Sequence, residues 1–231
     1  MANINVYKTI CLDQQTELHR LLTEEKDPQN GQQLFFNQHA RLHSHRMAQC
    51  ETWSYQDAIL DGLSEAGFRS QPANSEHSIA WLIWHITRCE DIAMNMLIAG
   101  SPQVLLSSDW NALLKTVLRD TGNLMQAQEL VDFNATIAID ALLEYRVAVG
   151  RRTRTIVQNL LPQDLNSKVD PERIARVLAQ GAVLPAAQGI TDYWGKRTYA
   201  GLLLMPASRH LLTHLNEAVK IVASLSKTKH K

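Results

Sequence analysis

His210 and His214 stand four positions apart in LLLMPASRHLLTHLNEA, a stretch whose apolar residues recur three and four apart. On a helix that spacing places both imidazoles on one face, a turn from each other, which is how a helix offers two nitrogen ligands to one metal ion. The pair alone does not separate ligands from surface or core histidines, so a third ligand is needed. His85 is the best candidate, lying in SIAWLIWHITRCED among Trp81, Leu82, Trp84 and Ile86. A neutral imidazole there loses hydration unless it gains a partner, either a metal ion or a backbone carbonyl or carboxylate. Cys89, one turn after His85, reads as a small buried apolar residue and stays outside the ligand set. His39 and His43, with His45 close by, make a competing HxxxH that lacks an apolar setting and reads as a solvated face.

Helices must position these residues, because the apolar residues follow a helical period and no stretch alternates as a strand does. A first helix is expected over Asn5 to Glu24, packing outside the main bundle and ending before the breaker-rich segment Asp27 to Gly31. A second is expected over Gln33 to Ser64. A third begins at Asn74 or Ser75 and stops at Gly100. After a short helix from Ser108 to Leu118, Asn134 is positioned to cap a fourth long helix, Ala135 to Leu161. The segment Asp170 to Lys196 is punctuated by Pro and Gly and reads as a turn or two of helix and a loop, placed where it could lid a site. In the last helix Pro206 either opens the first turn or kinks the chain one turn before His210. The result is an all-α four-helix bundle with an extra N-terminal helix and short accessory helices. One domain is expected over residues 1–231, with the core at about 33–226 and the accessory helix at about 5–24.

Bulk composition narrows the function. Apolar residues make up 45% of the chain and charged residues 20%, enough for a packed core and unlike a disordered segment. Lys plus Arg equals Asp plus Glu, 23 against 23, so no net field draws the protein to nucleic acid or to an anionic membrane. No apolar run approaches the ~20 residues that span a bilayer, and the N-terminus lacks a basic then apolar leader, so a cytoplasmic protein is expected. Cys11, Cys50 and Cys89 are odd in number and widely spaced, hence reduced thiols rather than a disulfide framework or zinc motif. Arg151, Arg152 and Arg154 form either a small anion patch or a complement to a helix dipole. Trp194, Lys196, Arg197 and Tyr199 either line a pocket mouth or pack in the core and surface.

The run HSIAWLIWHITRCEDIAMNMLIAG, His77 to Gly100, followed by LLLMPASRHLLTHLNEA, Leu202 to Ala218, resembles the DinB/YfiT-like family of metal-dependent enzymes. The segment Asp57 to Pro72 is similar to that family's first core helix and loop. By this resemblance His85 takes the place of the family's WHI histidine and His210 and His214 that of its terminal pair. Glu217 falls where members carry Gln or Glu. The resemblance implies a four-helix bundle with a mononuclear divalent-metal site of three histidines and water, holding zinc, nickel or another first-row ion. It also implies activities as varied as thiol-dependent S-transfer and hydrolysis. The N-terminal helix and the segment Asp164 to Thr198 depart from a minimal member, so substrate class does not transfer.

Three neutral imidazoles and one open position would let an ion act as a Lewis acid, bringing a water towards a pKa of ~7 or activating a thiol. Glu217, a turn beyond His214, is read as the catalytic residue; it could be a general base, a fourth ligand, an acceptor for an imidazole N–H or an exposed carboxylate. The expectation is an enzyme acting on a small molecule by hydrolysis or S-transfer, with a low-molecular-weight thiol as a candidate cosubstrate and a homodimer as the assembly. The alternatives are a non-catalytic metal-binding protein and a structural, self-associating bundle.

Overall fold

A computed structural model describes residues 2–24, 27–48 and 52–228; Cys50 and the end of the basic tail, 229–231, fall outside the described residues. Among the described residues the chain is helical, with a single isolated bridge between Lys168 and Thr198 in place of any strand. None of the described helices is long and apolar enough to cross a membrane.

Helix α1 (Ala2–His19) runs into a π-helical stretch, Arg20–Glu24. It does not lie outside the bundle: Cys11 is fully buried in the same core cluster as residues of the central helices, and Leu18 is buried deeper along α1. Helix α2 (Pro28–Leu42) opens with proline in its first turn, where no N–H is required, and Asp27 caps it by accepting from the Asn30 amide. The single helix expected over 33–64 is broken into α2, α3 (His45–Ala48) and α4 (Tyr55–Leu60). Side chains cause the break. His43 is extended, the Ser54 hydroxyl donates to its carbonyl at 2.6 Å, and the Asp57 carboxylate accepts from the His45 amide at 2.8 Å. Polar side chains thus satisfy the backbone groups that a continuous helix would have paired.

After α5 (Glu65–Arg69), helix α6 (Ile79–Asp91) starts at Ser78, whose hydroxyl accepts from the Trp81 amide, a few residues beyond the start expected at Asn74 or Ser75. It continues as a π-helix, Ile92–Ile98, and ends before Gly100, whose φ of +68° suits a residue without a side chain. Every residue from Ser78 to Ile98 is buried, so this element is the axis of the bundle. Helices α7 (Trp110–Leu114) and α8 (Ala127–Thr136) precede α9 (Ile139–Gln158). Asn134 does not cap α9 as expected. Residues Ile137 and Ala138 are extended, and Asn134 instead accepts from the buried Ser78 hydroxyl at 2.6 Å, tying α8 to the start of α6.

The late segment holds α10 (Pro171–Ala179) and α11 (Gly189–Gly195), more helix than the turn or two expected. Helix α12 (Tyr199–Leu204) then passes through a π-helical stretch, Met205–Arg209, into α13 (His210–Thr228). Pro206 therefore neither starts nor simply kinks one α-helix; it sits inside a stretch of different pitch, where the Ser208 hydroxyl donates to the Leu203 carbonyl at 2.8 Å. Helix α6 packs against α9 and α13, while α2 and α1 close the bundle against α13. Arg151, Arg152 and Arg154 each have a hydrogen-bond acceptor within the chain. They reach from α9 to the Arg46 carbonyl, the Asn95 amide oxygen and the Phe36 carbonyl.

Candidate metal centre

Helices α6 and α13 bring His85, His210 and His214 together as the spacing required. The ring centroids lie 4.9 Å (85 to 210), 5.0 Å (85 to 214) and 4.6 Å (210 to 214) apart, and the Nε2 atoms of His85 and His210 are separated by 3.1 Å. Two of the rings have a fixed tautomer. His85 Nδ1 is 2.8 Å from the Thr121 carbonyl, which can only accept, so the proton is on Nδ1 and the Nε2 lone pair faces the other rings. His214 Nδ1 lies 3.0 Å from Glu217 Oε2, which accepts its proton and leaves the lone pair on Nε2, while the three ligand atoms here that lie within 4.8 Å of one another belong to His85, Cys89 and His210. Ligand imidazoles held by a carbonyl or carboxylate on the far nitrogen are the arrangement that orients a metal-binding ring and raises its basicity. Buried His210 Nδ1 has no protein partner.

Burial, followed by the neighbouring His214, pushes His85 down to about 4 against the pull of the Thr121 bond. Burial with His85 and His214 alongside holds His210 well below its ordinary value. Both rings are therefore neutral near pH 7, the state in which imidazole ligates. Glu217 is half-buried, and its other oxygen accepts from His77 Nδ1 at 2.9 Å. Burial would raise its pKa, but the bonds from His214 and His77 bring it down to about 2. His77 in turn stacks on Trp81, with centroids 3.7 Å apart, and Trp81 on His85 at 4.6 Å, so one aromatic column braces the site. The sequence offered no signal for His77; its carboxylate partner is 140 residues away.

Cys89 is closer to this chemistry than its reading as a buried apolar residue suggested. It is buried, but its Sγ is 3.9 Å from His85 Nε2, and ligand atoms of His85, Cys89 and His210 all lie within 4.8 Å of one another. Burial pushes its thiol up to about 12, so without an ion it is protonated. Next to the imidazoles lies a cavity of about 290 Å³ with His85, His210 and Cys89 on one side. Gly189, Ile190, Tyr193 and Trp194 of α11, Met205 and Pro206 of the π-helical stretch, and Asn123 also line it. Trp194 thus lines a pocket, while Lys196 and Arg197 are exposed and do not line it, and the Tyr199 hydroxyl accepts from Arg173. A larger cleft of about 670 Å³, between Asn111 and Thr136, contains neither a histidine nor a thiol, so we place the site at the smaller cavity.

A second cluster corrects the reading of α2 as carrying a solvated histidine face. His39 and His43 are fully buried, and their Nε2 atoms lie 2.8 and 2.9 Å from the two oxygens of fully buried Glu90; only His45 is exposed. By spacing this group could hold a cation. Without one, each Nε2–H donates to one carboxylate oxygen and the charge of buried Arg146 acts on all three residues, while His39 Nδ1 and His43 Nδ1 are left without partners. Burial drives His43 down to about 3 and lowers His39, so both are neutral. Burial would raise Glu90, yet His43 and His39 outweigh it and keep it an anion.

The cluster depends on a glycine. A Cβ on Gly150 of α9 would stand 2.7 Å from Met47 Cγ and 2.8 Å from His43 Nδ1, and the His43 ring is pinned by Glu90. Gly150→Ala improves helix propensity by ~1 kcal/mol, but the overpacking costs ~1–3 kcal/mol, so a net loss of stability is expected. A urea midpoint equal to or above wild type would contradict this contact.

A helical bundle that converges imidazoles held on a carbonyl and a carboxylate beside a cavity could hold a metal ion there. The chain belongs to the DinB superfamily, whose family model matches residues 51–218. No curated protein matches the chain.

Proposed function

We propose that the protein is a metal-dependent enzyme that holds one divalent ion on His85, His210 and His214 and acts on a small molecule by hydrolysis or thiol S-transfer. The observation that carries this reading is the locking of His85 on the Thr121 carbonyl and of His214 on Glu217, which frees the Nε2 lone pair of each ring, within a cluster whose three ring centroids lie 4.6–5.0 Å apart. A divalent ion bound there, zinc or nickel by donor type, supplies a Lewis acid that acidifies water or a thiol beside the cavity. The chain's own residues orient and enclose. Thr121 and Glu217 hold the rings of His85 and His214, and α11 with Met205 and Pro206 lines the cavity that His85 and His210 share. Both oxygens of Glu217 are engaged by Nδ1 atoms, which supports a positioning role over service as a general base.

A second reading, a metal-binding protein without turnover, is favoured by one observation: the Cys89 thiol is near enough to His85 and His210 to fill a fourth position, as closed structural sites do. The test is metal content by elemental mass spectrometry on untagged protein after reconstitution with zinc and with nickel, compared with His85→Ala and His214→Ala, each confirmed helical by circular dichroism. About one ion per chain, lost in both folded variants, is the expected outcome. No ion in wild type would end the proposal. A Cys89→Ser variant that loses affinity for the ion would favour the closed, non-catalytic site.

A further inference from the structure

The cavity beside the imidazoles is uniform in a way that the proposed reaction does not require. Its polar groups are His85, His210, Cys89, Asn123 and Tyr193; the remainder of the wall is Ile190, Trp194, Met205, Pro206 and Gly189. No Lys, Arg, Asp or Glu lines it. Arg197 is exposed and covers the Tyr193 ring at 4.0 Å without lining the cavity. A charged group buried against Ile190, Trp194, Met205 and Pro206 loses its hydration and gains no counter-charge from any lining side chain, whereas an apolar ring gains contact area. At about 290 Å³ the space is at the bottom of the range of small-ligand sites, ~300–1,000 Å³, and suits one ring with a short substituent.

We propose that the cavity takes an uncharged small molecule with an apolar, ring-sized body and a single polar atom facing the imidazoles, and that it excludes carboxylate-bearing substrates and thiols. The inference rests on the metal-centre reading for its catalytic meaning, but it concerns the wall of the site rather than its ligands. Of the small thiols that could serve S-transfer, it admits neutral, apolar ones and rejects those carrying free carboxylates.

The test uses full-length protein stripped of metal with a chelator, so that a carboxylate cannot bind through an ion. Benzamide and benzoate, nearly equal in shape and different in charge, are titrated calorimetrically. Benzamide is expected to bind saturably and benzoate at least tenfold more weakly. Ile190→Glu, checked for wild-type circular dichroism, is expected to weaken benzamide at least tenfold while retaining the wild-type ion content. Equal or tighter binding of benzoate, or no saturable benzamide binding, overturns the inference on wild-type protein alone, whether or not the variant folds. Failure here with one ion per chain leaves the metal centre standing; benzamide binding without any ion on the reconstituted protein removes the metal centre and leaves the pocket.

Discussion

Glu90→Gln is expected to lower stability by ~3–5 kcal/mol, read as a fall in the urea midpoint at unchanged m-value, because it removes one partner from a fully buried charge cluster. The amide keeps the shape of the carboxylate and loses its charge. One of its ends can accept from a single imidazole, while its NH₂ faces the other ring, which must switch tautomer to receive it. That switch leaves a buried Nδ1–H with no acceptor, since His39 Nδ1 and His43 Nδ1 have no partners. Arg146, already pushed down to about 10 by burial, also loses the charge that favours its ionised form. Against a total stability of ~5–15 kcal/mol for a typical domain, this is a large fraction. In a double-mutant cycle with Arg146→Met, the combined loss is expected to be at least ~1 kcal/mol smaller than the sum of the single losses. Strict additivity would show that Glu90 and Arg146 do not act on one another.

Mild acid is expected to unfold the metal-free protein. His43 is held at about 3 in the fold and returns to about 6.5 in the unfolded chain. Between these values the unfolded state binds a proton that the native state does not, so stability falls as pH falls. The slope from His43 is about 1.4 kcal/mol per pH unit below ~6.5, and His39, lowered by the same burial, adds to it. Glu90 acts in a different window: its native pKa is depressed, so its contribution is complete above the unfolded value near 4.5 and is lost only below that. Urea midpoints at pH 7 and pH 5, in chelator so that ion release plays no part, separate the two. Equal midpoints would mean that the imidazoles of α2 are not buried as neutral rings.

The trio was legible because its signal is local: His210 and His214 need only the helical period, and the apolar neighbours of His85 marked its burial. The resemblance supplied what periodicity lacked, namely that α6 and α13 face each other. The His39–His43 cluster was misread for the complementary reason. Its apolar and anionic surroundings come from α6 and α9, so the polar neighbours of the pair within α2 misled. The break after Leu42 was equally hidden, since neither proline nor glycine marks it and the groups that make it, Ser54 and Asp57, lie more than ten residues on. Asn134 has ideal capping chemistry, but a buried hydroxyl on another helix claimed it first.

The π-helical stretch from Met205 to Arg209 has a bearing on how such a site can arise. An α-helix turns ~100° per residue, so one extra residue accommodated in that stretch rotates all of α13 by about that angle relative to α12. The azimuth of His210 and His214 therefore depends on the wider turn upstream as well as on the apolar face of α13. The histidine pair is phased like a screw thread with an added washer: were the same residues to close up into continuous α-helix, the pair would turn by about that angle relative to α12.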